Sequence, residues 1–319
     1  MPRLARLLRI GFYGSTGAVA LGLAALVAMV QPRRSDDPAV ADPEVIRRLK
    51  MHVEVLAGEA HNDEHPVPYA AAKAYIYQSL ASVGYAVNLD DAGNVIARRQ
   101  GVAPGGEARP VLLGAHYDSA NYSPGADDNA SGVAVMLEVA AALAGTAEPV
   151  EFHAYANEEP PCFKTACMGS LAAAAAAGAA GTRFSAIVVL DAVGFYSSEP
   201  GSQRWPLALP GLPRRGDFLA VVGDFAAARE VFRVSDLLAS TSPVPISRGV
   251  VPHWISGSDW SDHWSWRHHG YVAVMITDTA TFRNENYHEV TDTPGSLDYE
   301  RLAGFTASLV HTIASLASS

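Results

Sequence analysis

The chain begins with an uncharged, mostly apolar run over residues 10–30 that differs from everything after it. Three arginines precede this run, and Arg33 and Arg34 follow it. At about 1.5 Å of rise per residue, a helix of this length spans a hydrocarbon core of about 30 Å. The pattern therefore predicts an N-terminal signal anchor, a single transmembrane helix over residues 1–31, followed by a polar linker over residues 32–42.

A cleaved signal peptide is the alternative for this segment. Its apolar stretch would usually be shorter, and Leu26-Val27-Ala28 is a poor match to a cleavage site. The arginines before the run outnumber those after it, where Asp36, Asp37 and Asp42 follow. This balance favours an N-terminus inside the cell and places the rest of the chain in the periplasm or outside the cell, either anchored or, after cleavage, secreted.

Beyond residue 42, apolar residues recur at helical spacing, and short continuous apolar runs of the buried-strand kind lie between these segments. Helices are predicted over residues 43–58, 69–82, 131–143, 171–180 and 299–316. Strands are predicted over residues 86–89, 94–99, 111–115, 150–156, 186–190, 218–222 and 272–276. The alternation predicts one domain over residues 43–319, a three-layer α/β/α sandwich with a mixed, mostly parallel central sheet. Residues 197–216, rich in Pro, Gly and Arg, are predicted to be a surface excursion.

Composition narrows the possible functions. The formal net charge is -10, and residues 1–34 contain five arginines and no acid, so the rest of the chain carries a net charge of -15. This acidity argues against a nucleic-acid-binding protein, which needs a basic surface to neutralise phosphates. Two cysteines are too few for a four-thiolate zinc site or a disulfide-rich scaffold.

Imidazole and carboxylate side chains follow the predicted strands, at the edge of the sheet where α/β folds bind ligands. In chain order these side chains are His116 and Asp118, then Asp127 and Asp128 before a helix, then Glu158 and Glu159, then Asp191, and finally His288. Each residue alone is more typical of a surface loop. The ordered set predicts a metal centre.

Histidine and carboxylate together suit Zn²⁺, and two such ions need a bridging carboxylate plus further ligands on each side. Glu158 and Glu159 are adjacent, and neighbouring side chains of an extended segment point to opposite sides. One of them can therefore bind metal while the other acts as a general base towards water. Asp118, two residues after His116, is placed to hydrogen-bond the second imidazole nitrogen and fix its tautomer.

These residues resemble those of peptidase family M28, the zinc aminopeptidases with two cooperating metal ions, whose relatives include glutaminyl cyclases. The matching pieces are His116-x-Asp118, Gly125-Ala126-Asp127-Asp128-Asn129-Ala130-Ser131-Gly132, Asn157-Glu158-Glu159, Asp191, and His288 with Thr291-Asp292-Thr293 after it. The resemblance implies a zinc-exopeptidase fold and two Zn²⁺ per chain. It assigns His116 and Asp191 to one ion, Glu159 and His288 to the other, Asp128 to both, and the role of general base to Glu158.

The resemblance also implies a cis peptide bond after Asp128 and a supporting role for Asp127. The residues after Asp128 are typical of the peptidase branch, so an aminopeptidase that acts on peptides with a free N-terminus is predicted. A glutaminyl cyclase or other amidohydrolase, and an anchored binding domain without turnover, are the alternatives. By the same resemblance, Asp262 and His263, together with Tyr287, are predicted to line the substrate pocket.

Other polar clusters have simpler interpretations. Residues 61–65 contain two histidines but precede two prolines, which favours a solvated loop. His153 lies within an apolar strand and is predicted to be a core histidine. Cys162 and Cys167 follow Glu159 closely, and an oxidising compartment would allow a disulfide between them, with two free thiols as the alternative. The sequence lacks a His-Glu-x-x-His helix, which argues against that class of metalloprotease.

Overall fold

A computed structural model describes residues 30–99, 109–207 and 209–318 of the 319-residue chain. The predicted transmembrane helix falls almost entirely on residues 1–29, outside the described residues. Within the described ranges, no helix combines the length and the apolar character needed to cross a membrane.

Eight strands form one mixed sheet across the middle of the domain. They are β1 (Ala86–Leu89), β2 (Val95–Arg98), β3 (Val111–His116), β4 (Val150–Tyr155), β5 (Ala186–Leu190), β6 (Leu219–Gly223), β7 (Ile246–Val250) and β8 (Val274–Thr277). The strand order is β1-β2-β4-β3-β5-β8-β6-β7. The central strands β4, β3, β5 and β8 run parallel to their neighbours within that group, and β6 and β7 are parallel to each other. β1, β2 and the β6–β8 pair supply the antiparallel contacts.

Helices cover both faces of this sheet. They are α1 (Pro43–Leu56), α2 (Pro66–Ser82), α3 (Gly132–Leu143), α4 (Gly169–Ala179), α5 (Ala228–Thr241), α6 (His263–His268) and α7 (Tyr299–Ala317). The first face carries α1, α2, α3, α5 and α7, which pack against one another, and the second carries α4 and α6. The architecture is therefore a three-layer α/β/α arrangement.

Alternation along the central strands divides the core between the two faces. On β3, Leu113 packs into the large cluster beneath α3 and α7, whereas its neighbour Leu112 joins the cluster around Trp266 on the opposite face. Both leucines are fully buried. A parallel sheet covered on both sides requires such continuous apolar runs, which is why these strands were recognisable in the sequence.

The predicted α/β class with a mixed sheet is confirmed. The strand and helix boundaries agree with the predicted ones to within about three residues, and α2 begins at Pro66 instead of residue 69. Three elements, α5, α6 and β7, were not predicted. The strand β7 reads Ile-Ser-Arg-Gly-Val, which contains no continuous apolar run.

The segment after the apolar run contacts the domain along its edge. Arg33 forms an antiparallel bridge with Ile246 of β7, with both main-chain N–H···O distances at 2.9 Å. The main-chain N–H of Ala39 donates to the carbonyl of Thr241 at 2.7 Å. The predicted linker over residues 32–42 therefore contacts the edge strand at Arg33 and the end of α5 at Ala39, although its sequence is polar.

Candidate metal centre and substrate cavity

The first half of the centre forms where β3 and β5 end side by side. His116 is the last residue of β3, and Asp191 directly follows β5. The imidazole Nε2 of His116 lies 3.2 Å from Oδ1 of Asp128 and 3.8 Å from Oδ2 of Asp191. All three side chains are buried, and they converge on one point between the strand ends.

The second half shares Asp128. Its other carboxylate oxygen, Oδ2, lies 3.1 Å from Nε2 of His288, and the same nitrogen is 3.2 Å from Oε1 of Glu159. One carboxylate thus presents its two oxygens to two different imidazoles, as a bridging ligand must. The sequence prediction assigned the same five residues to the same two groups, and the structure brings all five together.

The ligand atoms of this cluster have the character of a metal site. Nε2 of His116, Nε2 of His288 and Oε1 of Glu159 are buried, and none has a hydrogen-bond partner of good geometry among the described residues. Atoms offered by His116, Asp128 and Glu159 all lie within 4.8 Å of one another. Buried polar atoms without partners are costly. Imidazole and carboxylate donors suit Zn²⁺, so the residues present fit this ion.

Asp118 positions the loop that follows β4. Its two carboxylate oxygens accept the main-chain N–H groups of Glu158 and Glu159, at 3.0 and 2.9 Å. The expected contact with His116 takes a different form: Nδ1 lies 3.1 Å from the main-chain carbonyl of Asp118 and 3.6 Å from its carboxylate. The main-chain carbonyl therefore fixes the imidazole tautomer, and the carboxylate holds the two glutamates.

The loop that carries Asp128 is held from several sides. The peptide bond between Asp128 and Asn129 is cis, as the family resemblance implied. The carboxylate of Asp292 accepts the main-chain N–H groups of Asp127 and Asp128 at 3.0 to 3.2 Å. The side chain of Asp127 in turn accepts from the N–H of Gly194 and from the amide of Asn284. Asp127 therefore supports the loop. Asp292, which belongs to the matching Thr291-Asp292-Thr293 segment but had no predicted role, supports the loop as well.

Three residues of the centre sit at left-handed backbone positions. The φ angles are +55° at Asn157, +49° at Ala192 and +62° at His288. Asn157 immediately precedes Glu158, and Ala192 immediately follows Asp191. Left-handed conformations are unfavourable for residues with a Cβ and are concentrated at functional sites. They turn the chain sharply at the strand ends, so that the polar side chains point into the centre.

Repulsion between the buried carboxylates disfavours a metal-free centre in which all of them are ionised. Burial raises the pKa of the Glu158 carboxyl well above its usual range. Burial, reinforced by the charge of Asp128, raises the pKa of Glu159 to about 7 and that of Asp191 to about 6. These carboxylates repel one another in a dry environment. A cation is needed to keep all of them charged at neutral pH.

The pKa values of the two imidazoles are also raised despite their burial, because the neighbouring carboxylates stabilise their charged forms. Burial disfavours their charge, but contacts with Asp128 and Glu159 outweigh it and raise the pKa of His288 to about 10. Burial likewise opposes the charge of His116, yet Asp118 and Asp128 hold its pKa well above the usual value. Burial also works against ionised Asp128, and the two histidines overcome this and lower its pKa. In the protein alone, protonated histidines supply the positive charge that the carboxylates require.

The three predicted pocket residues do not share one role. Tyr287 lines a cavity beside the centre, and its ring stacks on that of His288 with centroids 3.9 Å apart. His263 is buried, with Nε2 3.0 Å from the carbonyl oxygen of Ser258. Asp262 is fully buried, and neither of its carboxylate oxygens has a hydrogen-bond partner among the described residues. Burial raises the pKa of Asp262 to about 7. Asp262 and His263 therefore lie behind the pocket surface, because the start of α6 is packed into the domain.

The loop after Glu159 is tied down at its base. Cys162 and Cys167 form a disulfide. Lys164, within this loop, forms an ion pair with Asp259 at 2.8 Å. The loop is thereby fixed to the segment that leads into α6, next to the metal centre.

Two histidines that were not assigned to the metal centre, His61 and His153, have different surroundings. His61 is buried, with 2 % exposure, and its main-chain N–H donates to Ser119, so the prediction of a solvated loop is wrong for this residue. Burial lowers its pKa. His153 is a core residue, as predicted, with Nε2 3.1 Å from Oε2 of Glu151.

A cavity of about 180 Å³ opens beside the metal centre. Asp191 and Tyr287 lie at the end next to the centre, and the remaining wall is mostly apolar. The excursion over residues 197–207 and 209–216, predicted to be a surface feature, contributes Trp205 and Leu212 to this wall. Trp205 stacks on Phe218, with ring centroids 6.0 Å apart. The apolar residues inside this Pro-rich stretch were the signal that it packs inward.

Comparison with known proteins agrees with the arrangement of the centre. A model described as peptidase family M28 matches residues 94–313, which covers the whole set of candidate ligands. The chain belongs to peptidase family M28. Membership of this family supports a metallo-hydrolase, and the chain spans less than two thirds of the length of the curated relatives it matches.

Three individual proteins are similar to this chain in sequence or in fold. An uncharacterised protein of Escherichia coli, YfbL, is 42% identical over 205 residues, which cover 60% of this chain and 62% of that protein. The LapA aminopeptidase of Legionella pneumophila has the same fold, with a TM-score of 0.66 at 17% identity over 90% of this chain and 78% of that one. A glutaminyl cyclase of Fimbriiglobus ruber also shares the fold, with a TM-score of 0.58 at 18% identity over 88% of this chain and 99% of that one.

Proposed function

We propose that this chain is an aminopeptidase whose centre holds two Zn²⁺. One ion would be held by His116 and Asp191, the other by Glu159 and His288, with Asp128 between them. The observation that carries this proposal is the division of the Asp128 carboxylate, whose two oxygens face the two histidines at 3.2 and 3.1 Å. The bound ions would supply Lewis acidity, which polarises a carbonyl group and makes water more acidic.

Glu158 acts as the general base in this proposal. Its side chain is not among the metal-facing atoms described above, and its neighbour Glu159 takes the ligand position. The hydrogen bonds from both main-chain N–H groups to Asp118 support this division of roles, because they hold the main chain of the two glutamates in place. Glu158 accepts a proton from the attacking water and delivers it to the leaving amine. Its buried, partly apolar surroundings favour the protonated form that the second step requires.

The acidic surroundings also favour a substrate with a free N-terminus. Asp262 is a buried carboxylate without a hydrogen-bond partner among the described residues, and burial, reinforced by the nearby charge of Asp191, raises its pKa. An α-ammonium group bound at the mouth of such a site would gain from the negative potential. A blocked N-terminus would gain nothing from it.

The substrate test compares peptides that differ only at the N-terminus. The zinc-loaded full chain is incubated with Leu-Gly-Gly, with its N-acetylated form and with Gln-Gly-Gly, and the products are identified by mass spectrometry. We expect free leucine from the first peptide and no cleavage of the second. Cleavage of the acetylated peptide alone would overturn the proposal. Loss of ammonia from the glutamine peptide, with a cyclised product, would instead identify a glutaminyl cyclase, whose fold is shared.

We further propose that residues 1–31 anchor the protein in a membrane with the catalytic domain in the periplasm or outside the cell. The support is the long apolar run and the arginines before it. Extraction of cell membranes with alkaline carbonate tests the anchor. The full chain should stay in the membrane pellet, and its release into the supernatant would contradict the proposal.

A further inference from the structure

The last residue of the N-terminal apolar run lines the substrate cavity. Val30 lines the same cavity as Asp191 and Tyr287, although it lies some 160 residues earlier in the chain than Asp191. Its carbonyl oxygen accepts a hydrogen bond of 2.7 Å from the hydroxyl of Ser247, a buried residue of β7. The position of Val30 is therefore set by the domain.

The segment after Val30 is fastened over its length. Arg33 pairs with Ile246 through two main-chain hydrogen bonds. The hydroxyl of Ser35 donates to the carbonyl of Ser240 at 2.7 Å. The bridge at Arg33 pairs with the outer edge of β7, which would otherwise present unpaired main-chain groups to solvent, and the contact of Ser35 lies at the end of α5. Residues 30–39, named here the edge segment, thus pack against the catalytic domain, and they include Val30 and Gln31 at the C-terminal end of the proposed anchor.

The edge segment also contacts the excursion that forms another wall of the cavity. The side-chain amide of Gln31 donates to the carbonyl oxygen of Gly211 at 2.7 Å. Leu209 and Leu212, on either side of Gly211, both line the cavity. The sheet supplies the remaining apolar surface through residues such as Val222 and Met275. Three separate parts of the chain therefore enclose the space next to the metal centre.

We infer that the edge segment completes the specificity pocket of the enzyme and that Val30 limits the size of the apolar side chain bound there. This inference rests on the proposed aminopeptidase function and adds to it one specificity-determining residue, Val30, which lines the apolar cavity. A dry cavity of about 150 Å³ accommodates benzene. The cavity here, of about 180 Å³, is large enough for an aromatic or branched aliphatic group.

The first test fills the cavity from the edge segment. Val30→Trp places a large ring in the wall, whereas Val40→Trp makes the same substitution at a side chain that is 87 % exposed and outside the cavity. The readout is the ratio of kcat/KM for phenylalanine and alanine anilides, which is independent of the amount of active enzyme. We expect Val30→Trp to lower this ratio about tenfold or more, mainly through KM, as steric changes in apolar pockets do. Val40→Trp should leave it unchanged.

The second test loosens the attachment of the edge segment and keeps the side chain of Val30 unchanged. Ser247→Ala removes the hydrogen bond to the carbonyl of Val30, whereas Ser82→Ala removes a hydrogen bond to the carbonyl of Ser79 at an exposed position on α2, outside the cavity. A hydrogen bond of this kind contributes about 1 kcal/mol, so Ser247→Ala should raise KM for the phenylalanine substrate about fivefold. Ser82→Ala should leave that KM within about twofold of the original value.

A binding measurement separates this inference from the proposed function. Calorimetry with the zinc-loaded full chain compares L-phenylalaninol with L-alaninol, neither of which needs turnover. We expect tighter binding of phenylalaninol, and loss of that preference in Val30→Trp but not in Val40→Trp. An unchanged preference in Val30→Trp would overturn the inference even if the enzyme is an aminopeptidase. A changed preference in a protein that cleaves no free peptide would overturn only the proposed function.

Discussion

At the residue scale, the proposed division of tasks between two neighbouring glutamates depends on one aspartate that holds their main chain. Asp118 accepts both N–H groups, which leaves the side chain of Glu159 facing His288 and that of Glu158 free for chemistry. Both side chains are buried, with 6 % and 5 % exposure for Glu158 and Glu159. Burial makes the carboxyl of Glu158 a stronger base than an exposed one, as proton transfer near neutral pH requires.

Replacement of Glu158 separates its role from metal binding. Glu158→Gln keeps the size of the side chain but removes the basic oxygen, so kcat should fall at least about a hundredfold. Zinc content, measured by mass spectrometry on the same sample, should not change. Glu300→Gln, at an exposed position on α7, is the control and should retain full activity. A fully active Glu158→Gln variant with normal zinc content would exclude Glu158 as the base.

At the element scale, the site depends on where the parallel strands end. β3, β4 and β5 bring His116, the Glu158–Glu159 pair and Asp191 to one edge of the sheet, and the loops after them carry the supporting carboxylates. The strands are anchored by burial on both faces. Most of the precision of the site therefore comes from rigid elements, and hydrogen bonds such as those of Asp118 complete it in the loops.

Removal of one loop support should weaken metal binding without removing a ligand. In Asp118→Asn, one of the two oxygens that accept main-chain N–H groups is replaced by an amide donor, so the loop carrying Glu159 loses a hydrogen bond. Supporting contacts of this kind typically account for a factor of about 10 to 100 in metal affinity. Zinc affinity from chelator competition should fall by that factor, whereas Asp63→Asn, at an exposed position, should have no effect. Equal affinities in the two variants would show that Asp118 does not position the ligands.

The arrangement of strands and helices also explains which parts of the site and of the fold could be predicted from the sequence. The ligand set was predictable because His116 and Asp191 lie at the ends of recognisable apolar strands, the other ligands lie in loops that follow such strands, and parallel strands meet at one edge. The strand β7 was not, since Ser247 and Arg248 interrupt its apolar pattern. The burial of His61 and the inward packing of Trp205 depend on contacts between segments that are distant in sequence. Sequence periodicity carries no information about such contacts.

At the scale of the whole molecule, the excess negative charge has a partly structural origin. The chain carries a net charge of -10, and several of its carboxylates are buried around one point beside two histidines. Without metal, Glu159 and Asp191 have raised pKa values of about 7 and about 6. The folded metal-free protein therefore binds more protons than the unfolded chain, and its stability falls as the pH rises through this range.

Zinc should reverse this dependence, because binding requires the deprotonated ligands. We expect the increase in Tm on adding zinc to a chelator-treated sample to be larger at pH 7.5 than at pH 5.5. Zinc present at about 100 times its Kd stabilises the folded state by about 2.7 kcal/mol per site, equivalent to about 5 °C or more in Tm. Scanning calorimetry with and without zinc at each pH isolates the ligands, since groups elsewhere contribute equally to both samples. An increase that is equal or larger at pH 5.5 would contradict the account.

The number of zinc ions per chain tests the central claim most directly. The full chain is purified, loaded with zinc at pH 7.5, freed of excess metal and analysed by native mass spectrometry, alongside His288→Ala. The two-ion centre built around Asp128 predicts two tightly held Zn²⁺ in the unmodified chain and one in the variant, which keeps His116 and Asp191. A single Zn²⁺ in the unmodified chain, or an unchanged count in His288→Ala, would contradict it.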